Sequence, residues 1–96
     1  MIMLNELFGP SIHLLILDLF LENPGDLMNL REVARRIEKN PGSISRVIPL
    51  LVENGVLEQV RVGENRHVYR LNSDNKIVEV LKDFFIKLKE LGLSNK

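Results

Sequence analysis

Arginine is the side chain whose placement in this sequence could do chemistry. All seven arginines, Arg31, Arg35, Arg36, Arg46, Arg61, Arg66 and Arg70, fall between residues 31 and 70, and the flanks carry lysine instead. With Lys39, and against Glu32, Glu38, Glu53, Glu58 and Glu64, this window is basic by three charges. The flanks are acidic by three, so the whole chain, with 13 basic and 13 acidic side chains, is neutral. A guanidinium is a planar fork of donors that matches phosphate oxygens and the edge of guanine, so a stretch enriched in it points to a polyanionic partner. The neutral sum argues against such a partner, and an excess of three charges also arises by chance. The elements that carry the arginines have to decide between these.

Other chemistry finds little material. There is no cysteine, which removes disulfides, thiolate metal sites and a thiol nucleophile together. Neither His13 nor His67 has an evident triad neighbour, and His67, beside no cysteine and no second nearby histidine, reads as a strand residue rather than a ligand or sensor. No glycine-rich loop suited to cradling a phosphate is present. The sequence therefore predicts a non-enzyme with no metal and no cofactor.

At 96 residues, with 45% apolar and 27% charged side chains, the chain fits one globular domain spanning 1–96. A domain of this size buries a modest share of its surface, and without disulfides or metal the remaining support is a partner subunit. The longest apolar run, Ile12 to Leu21, carries His13 and Asp18 and is too short and polar to cross a bilayer. No secretory signal is visible, and the lack of cysteine fits a cytoplasmic location.

A short apolar piece (Ile2, Met3, Leu4, Leu7, Phe8) ends at Gly9-Pro10. A first helix is predicted over Pro10–Glu22, apolar on nearly all sides, closing at the turn signal Asn23-Pro24-Gly25-Asp26. Asn29 and Glu32 have capping-box spacing for a second helix from about Leu30 to Lys39. Asn40-Pro41-Gly42 starts a third, with Ile44, Val47, Ile48 and Leu51 on one face and Asn54-Gly55 at its end. Val56–Val62 and Arg66–Leu71 flank Gly63-Glu64-Asn65 as a hairpin, with Arg66, Val68 and Arg70 on one face and His67, Tyr69 and Leu71 on the other. Tyr69 reads as packing. Asn72 or Ser73 caps a last helix to about Leu91, with Gly92 beyond.

The second and third helices, with Ala34 small at their crossing and Ile37, Ile44 and Val47 in the angle between them, have the order of a helix-turn-helix, and the hairpin adds a wing. The run Leu-Arg-Glu-Val-Ala-Arg-Arg-Ile from residue 30, then Asn-Pro-Gly-Ser-Ile-Ser-Arg-Val and Leu-Leu-Val-Glu-Asn-Gly-Val-Leu, resembles the winged-helix transcriptional regulators of the ArsR and MarR type over residues 11–71. The resemblance implies a mainly α fold with a small β-hairpin, a winged helix-turn-helix whose third helix enters the major groove of double-stranded DNA. Matching positions give Gly42, Ser43, Ser45 and Arg46 as base readers, Arg31 beside a phosphate, and Asn65 and Arg66, with Arg61 near them, at the wing tip on backbone or minor groove. Ser43 and Ser45 could instead assist the helix start. The chain departs from the family at Glu38 and Lys39, where glycine and an aliphatic residue are common. It departs again at Pro49, which should kink the third helix, and at Leu50 and Val52, which are apolar where relatives carry charge.

The last helix, 73–92, repeats Ile77, Leu81, Phe84, Leu88 and Leu91 at coiled-coil spacing, widened by Val78, Val80 and Phe85. Such a stripe could cover its own domain. Joined with Leu4, Leu7 and Phe8 and with the second face of the first helix, Leu14, Leu17 and Leu21, it suits a homodimer that presents two reading helices to successive major grooves. The leading expectation is a sequence-specific, DNA-binding homodimeric regulator, its effector unspecified. The alternative is a winged-helix module for protein–protein interaction without DNA binding, which the neutral charge, Pro49, Leu50 and Val52 would suit.

Overall fold

A computed structural model of the chain describes residues 4–9 and 11–91. In chain order the elements are α1 (Leu4–Phe8), α2 (Ile12–Glu22), α3 (Leu30–Ile37), α4 (Pro41–Glu53), β1 (Leu57–Val62), β2 (Arg66–Leu71) and α5 (Lys76–Glu90). Ile2, Met3, Pro10 and Gly92, which also entered the sequence reading, lie outside the described residues.

Local capping explains where the helices start. Ser11 accepts from the Leu14 N–H at 3.1 Å and α2 begins at Ile12, two residues after the expected start. Asn29 accepts from Glu32 N–H at 2.8 Å, which is half of a capping box. The returning half is missing because the Glu32 carboxylate is taken by Arg35 and Arg36. Asn40 accepts from Gly42 N–H at 2.7 Å, and a Cβ on Gly42 would stand 3.1 Å from that same oxygen. Glycine thus leaves room for the cap.

Two helices end in the same way. At the end of α4, Gly55 has φ 81°, its N–H donates to Val52 C=O and the Val56 N–H donates to Leu51 C=O. At the end of α3, Glu38 has φ 57°, its N–H donates to Arg35 C=O and the Lys39 N–H donates to Ala34 C=O. Both are Schellman ends, and the left-handed residue is glycine in one and glutamate in the other. This stops α3 at Ile37, short of the expected Lys39.

The last helix is capped neither by Asn72 nor by Ser73. Asn75 accepts from Ile77 N–H at 2.8 Å, and its amide donates to Gly55 C=O at 2.9 Å. Asn72 is occupied elsewhere, its amide donating to the same carbonyl at 3.1 Å. The start of α5 is thereby tied to the end of α4.

The core collects Ile16 and Phe20 of α2, Val33 and Ala34 of α3, Ile44, Val47, Ile48 and Leu51 of α4, Leu57, Tyr69 and Leu71 of the hairpin, and Val78, Phe85 and Leu88 of α5. Ala34 is buried where α3 and α4 cross, as its size requires. The strands pair antiparallel with Val62 opposite Arg66 and Leu57 opposite Leu71. Met28, in the turn between α2 and α3, adds a one-residue bridge to Tyr69 through reciprocal bonds of 2.9 and 2.8 Å. This bridge fixes the hairpin against the helix-turn-helix, and Tyr69 is buried packing, as its strand position suggested. Helix α4 runs through Pro49 to Glu53; Pro49 is on the exposed side, where water can satisfy the carbonyl of Ser45 that lacks a helical donor. The fold is a mainly α winged helix-turn-helix.

Candidate nucleic-acid interface

The arginines separate by what they touch. Arg35 and Arg36 both bind the Glu32 carboxylate, Arg36 at 2.7 Å, and Arg36 also approaches Asp26 at 3.9 Å. These guanidinium hydrogen bonds, Arg36 first and then Arg35, hold the Glu32 carboxyl below its ordinary range. Arg70 binds Glu58 at 2.6 Å across the hairpin. Arg61 donates from Nε and Nη2 to the Glu64 carbonyl at 3.1 and 2.5 Å, bracing the wing loop. Arg31, Arg46 and Arg66 are exposed and have no carboxylate partner among the described residues. Their charge remains available to a ligand.

A solvent-open cleft of about 560 Å³ lies between the first turns of α3 and α4 and the wing. Four of the expected contact residues line it: Arg31, Gly42, Ser45 and Asn65. Asn29, Leu30, Pro41, His67 and Tyr69 complete its walls, and none of the lining residues is acidic. Two helix N-termini open here, and that end of a helix favours negative charge. The arrangement can seat the phosphodiester backbone while an exposed helix face passes into a groove.

The remaining expected residues stand apart from this cleft. Ser43 is half-buried, Arg46 is exposed on α4, and Arg66 lies at the start of β2 on the face opposite His67 and Tyr69. Ser45 donates its hydroxyl proton to Gly42 C=O at 2.8 Å, so it also serves the helix start. Sequence reasoning set His67 aside, although the same alternation that put it on Tyr69's side of the strand places it at the cleft.

The residues expected at a subunit contact also divide. Leu4, Leu21 and Leu88 are buried within the chain itself, and Leu14, Leu17 and Leu81 pack against the same core but are only half-buried. Leu7, Phe8, Ile77, Phe84 and Leu91 are exposed. The expected seam on α5 therefore splits lengthwise: Val78, Leu81, Phe85 and Leu88 turn inward, while Ile77, Val80, Phe84 and Leu91 form an outer stripe, with Val80 66% exposed. The buried carboxylate of Asp18 accepts from Leu4 N–H at 2.9 Å and fastens α1 to α2. Among the described residues no group of side chains is placed to hold a metal, and no helix is long and apolar enough to cross a membrane.

No curated protein sequence matches the chain. Similar folds among solved structures include those of the three regulators that follow, each under 25% identical. The ferric uptake regulator of Francisella tularensis, solved with iron, superposes with TM-score 0.63 at 18% identity over 71% of this chain and 58% of its own. The homodimeric winged helix-turn-helix DNA-binding domain of a possible ArsR-family regulator from Mycobacterium bovis gives 0.63 at 23% identity over 88% and 72%. A MarR-family transcriptional regulator from Silicibacter pomeroyi gives 0.67 at 14% identity over 95% and 62%. The chain thus spans about three fifths of the first and third of these. These neighbours establish the winged helix-turn-helix fold. The family model for the IclR helix-turn-helix domain matches residues 12–61, which run from the start of α2 into β1. With a match over more than half its length, the chain belongs to the IclR helix-turn-helix domain family.

Proposed function

We propose that this chain is a homodimeric regulator that binds double-stranded DNA sequence-specifically and contains no catalytic site. The observation that carries this reading is a cleft without acidic walls, lined by Arg31 at the start of α3, together with exposed guanidinium groups free of carboxylate partners among the described residues on α4, Arg46, and on the wing, Arg66. Arg46 and the first turn of α4, Gly42 to Ser45, read base edges. Arg31 and Asn65 hold the backbone, and Arg66 holds it from the wing's other face. Arg61 shapes the loop that presents them. Selection of bound fragments from a random duplex library tests this, followed by fluorescence anisotropy in a salt series. Affinity should fall steeply with salt, and Arg46→Ala should weaken binding about tenfold and relax the preferred sequence. A chain that retains no duplex at low salt, or binds unchanged after Arg31→Ala, Arg46→Ala and Arg66→Ala together, refutes the reading.

The second copy is supported by the outer stripe of α5, Ile77, Val80, Phe84 and Leu91, with Leu7 and Phe8 on α1 also exposed. It is supported also by the homodimeric state named for the Mycobacterium bovis domain. A two-fold pair would place its α4 helices about 34 Å apart, over half-sites one helical turn apart. One observation favours a protein partner instead: Leu50, on α4 itself, is 42% exposed. If Leu50→Ser abolished capture of a stoichiometric protein partner while duplex DNA was never retained, that alternative would replace the first.

A further inference from the structure

We propose that His67 is a backbone ligand for DNA and that binding takes up a proton onto its imidazole, so that affinity depends on pH near neutrality. This rests on the DNA-binding reading above and names a residue and a regulation it did not contain. His67 is exposed on β2 and turned into the cleft, where it shares the walls with Arg31 of α3, Ser45 of α4 and Asn65 of the wing. Tyr69 lies two residues along the same strand face, and Arg61 stands directly across the ladder. Among the described residues that line the cleft or pair with His67 across the ladder, the other titratable groups are cations or a phenol. The nearby carboxylates are engaged elsewhere, Glu32 with Arg35 and Arg36 and Glu58 with Arg70, and Glu64 is not among the walls.

An imidazole takes up a proton readily beside an anion, and this cleft supplies none of its own. A phosphate seated against Arg31 would supply one. The protonated ring then donates to the phosphate and adds one cation to the contact. As pH rises through the imidazole range the charge is lost, and the affinity falls with it.

The test is anisotropy of the full chain on a labelled mixed-sequence duplex, in salt series at about pH 6 and about pH 8. The wild type should bind roughly tenfold more tightly at the lower pH. Its log–log salt slope should be steeper there by about one, the change expected for one additional phosphate neutralised. His67→Ala and His67→Gln should match the wild type's high-pH behaviour at both values, His67→Lys should bind tightly at both, and His13→Ala should behave as the wild type. Thermal unfolding should be unchanged, because His67 is exposed. A wild-type slope that does not move with pH, or a pH dependence that survives His67→Ala, overturns the proposal while leaving DNA binding standing. Failure to bind duplex at any pH or salt overturns both.

Discussion

Replacing Glu38 by glycine should stabilise the protein, and the structure contains its own comparison. Both α3 and α4 close with a left-handed residue flanked by the same two backbone bonds, but α4 uses Gly55 and α3 uses Glu38. A side chain in the left-handed region costs about 1–2 kcal/mol because Cβ crowds the neighbouring carbonyl. Glycine escapes that cost but loses about 0.5–1 kcal/mol more backbone freedom on folding. The expected net gain for Glu38→Gly is therefore about 0.5–1 kcal/mol, a rise in melting temperature of roughly 4–8 °C at the upper end. Charge offers a competing explanation, since a carboxylate at a helix C-terminus is itself unfavourable by about 0.3–1 kcal/mol. Glu38→Ala removes the charge and keeps the strain, whereas Glu38→Asn removes the charge and tolerates the left-handed backbone. Urea unfolding at fixed protein concentration should rank Gly above Asn, Asn above Ala, and Ala level with or slightly above Glu. An alanine variant as stable as the glycine one would refute the backbone argument, and a destabilised glycine variant would refute it more sharply.

Three further outcomes are expected. Asn75→Ala removes the α5 cap and the bond to Gly55 C=O, which retains Asn72 as a donor, so urea unfolding should show a loss of about 1–2 kcal/mol; Asn75→Asp, which keeps the cap, should lose roughly half as much. Because Arg36 and Arg35 lower the folded-state pKa of Glu32, the stability from this pairing is present above the ordinary carboxylate range and disappears as pH falls through the lowered value. Glu32→Gln should flatten that part of the acid limb in a pH series of unfolding curves, and an unchanged limb would show that the exposed pair contributes nothing. Phe84→Glu on the outer stripe should give a monomer by light scattering with the far-ultraviolet dichroism of the wild type; a dimer of unchanged mass would place the subunit contact elsewhere.

Features decided by neighbouring residues were legible in the sequence. The caps at Asn29 and Asn40, the left-handed Gly55 and the faces of the hairpin all follow from residues within a few positions of one another. What depends on distant contacts was not. The Met28–Tyr69 bridge joins residues 41 positions apart, and a single methionine in a turn has no period to read. The α5 cap falls at Asn75 rather than at Asn72 or Ser73: all three are competent by type, and the side chains of both Asn72 and Asn75 are held by the Gly55 carbonyl, 17 and 20 residues earlier, a contact the local sequence does not reveal. The apolar spacing on α5 revealed an amphipathic helix but not which half of its wide stripe the domain would cover. Leu88 went inward and Leu91 remained outside. At the cleft, the fold brings Arg31, Gly42, Ser45 and Asn65 together as expected, and His67, read from sequence as a strand residue rather than a sensor or ligand, lines it as well.

The neutral net charge, which weighed against a polyanion partner, dissolves once the charges are sorted by contact. One carboxylate, Glu32, occupies two guanidinium groups on the solvent side of α3, and Glu58 occupies a third across the hairpin. These pairs sit in water and contribute little to stability, so their effect on the surface field matters more than their energy. They remove Arg35, Arg36 and Arg70 from the field while leaving Arg31, Arg46 and Arg66 uncompensated on the two helices and the wing that border the cleft. A sum over the sequence weights every charge equally. A polyanion within a Debye length of the surface, about 8 Å at physiological salt, responds to the unpaired charges on the face it meets. Local ion pairing thus lets a chain with zero net charge keep three exposed arginines, Arg31, Arg46 and Arg66, without a carboxylate partner among the described residues.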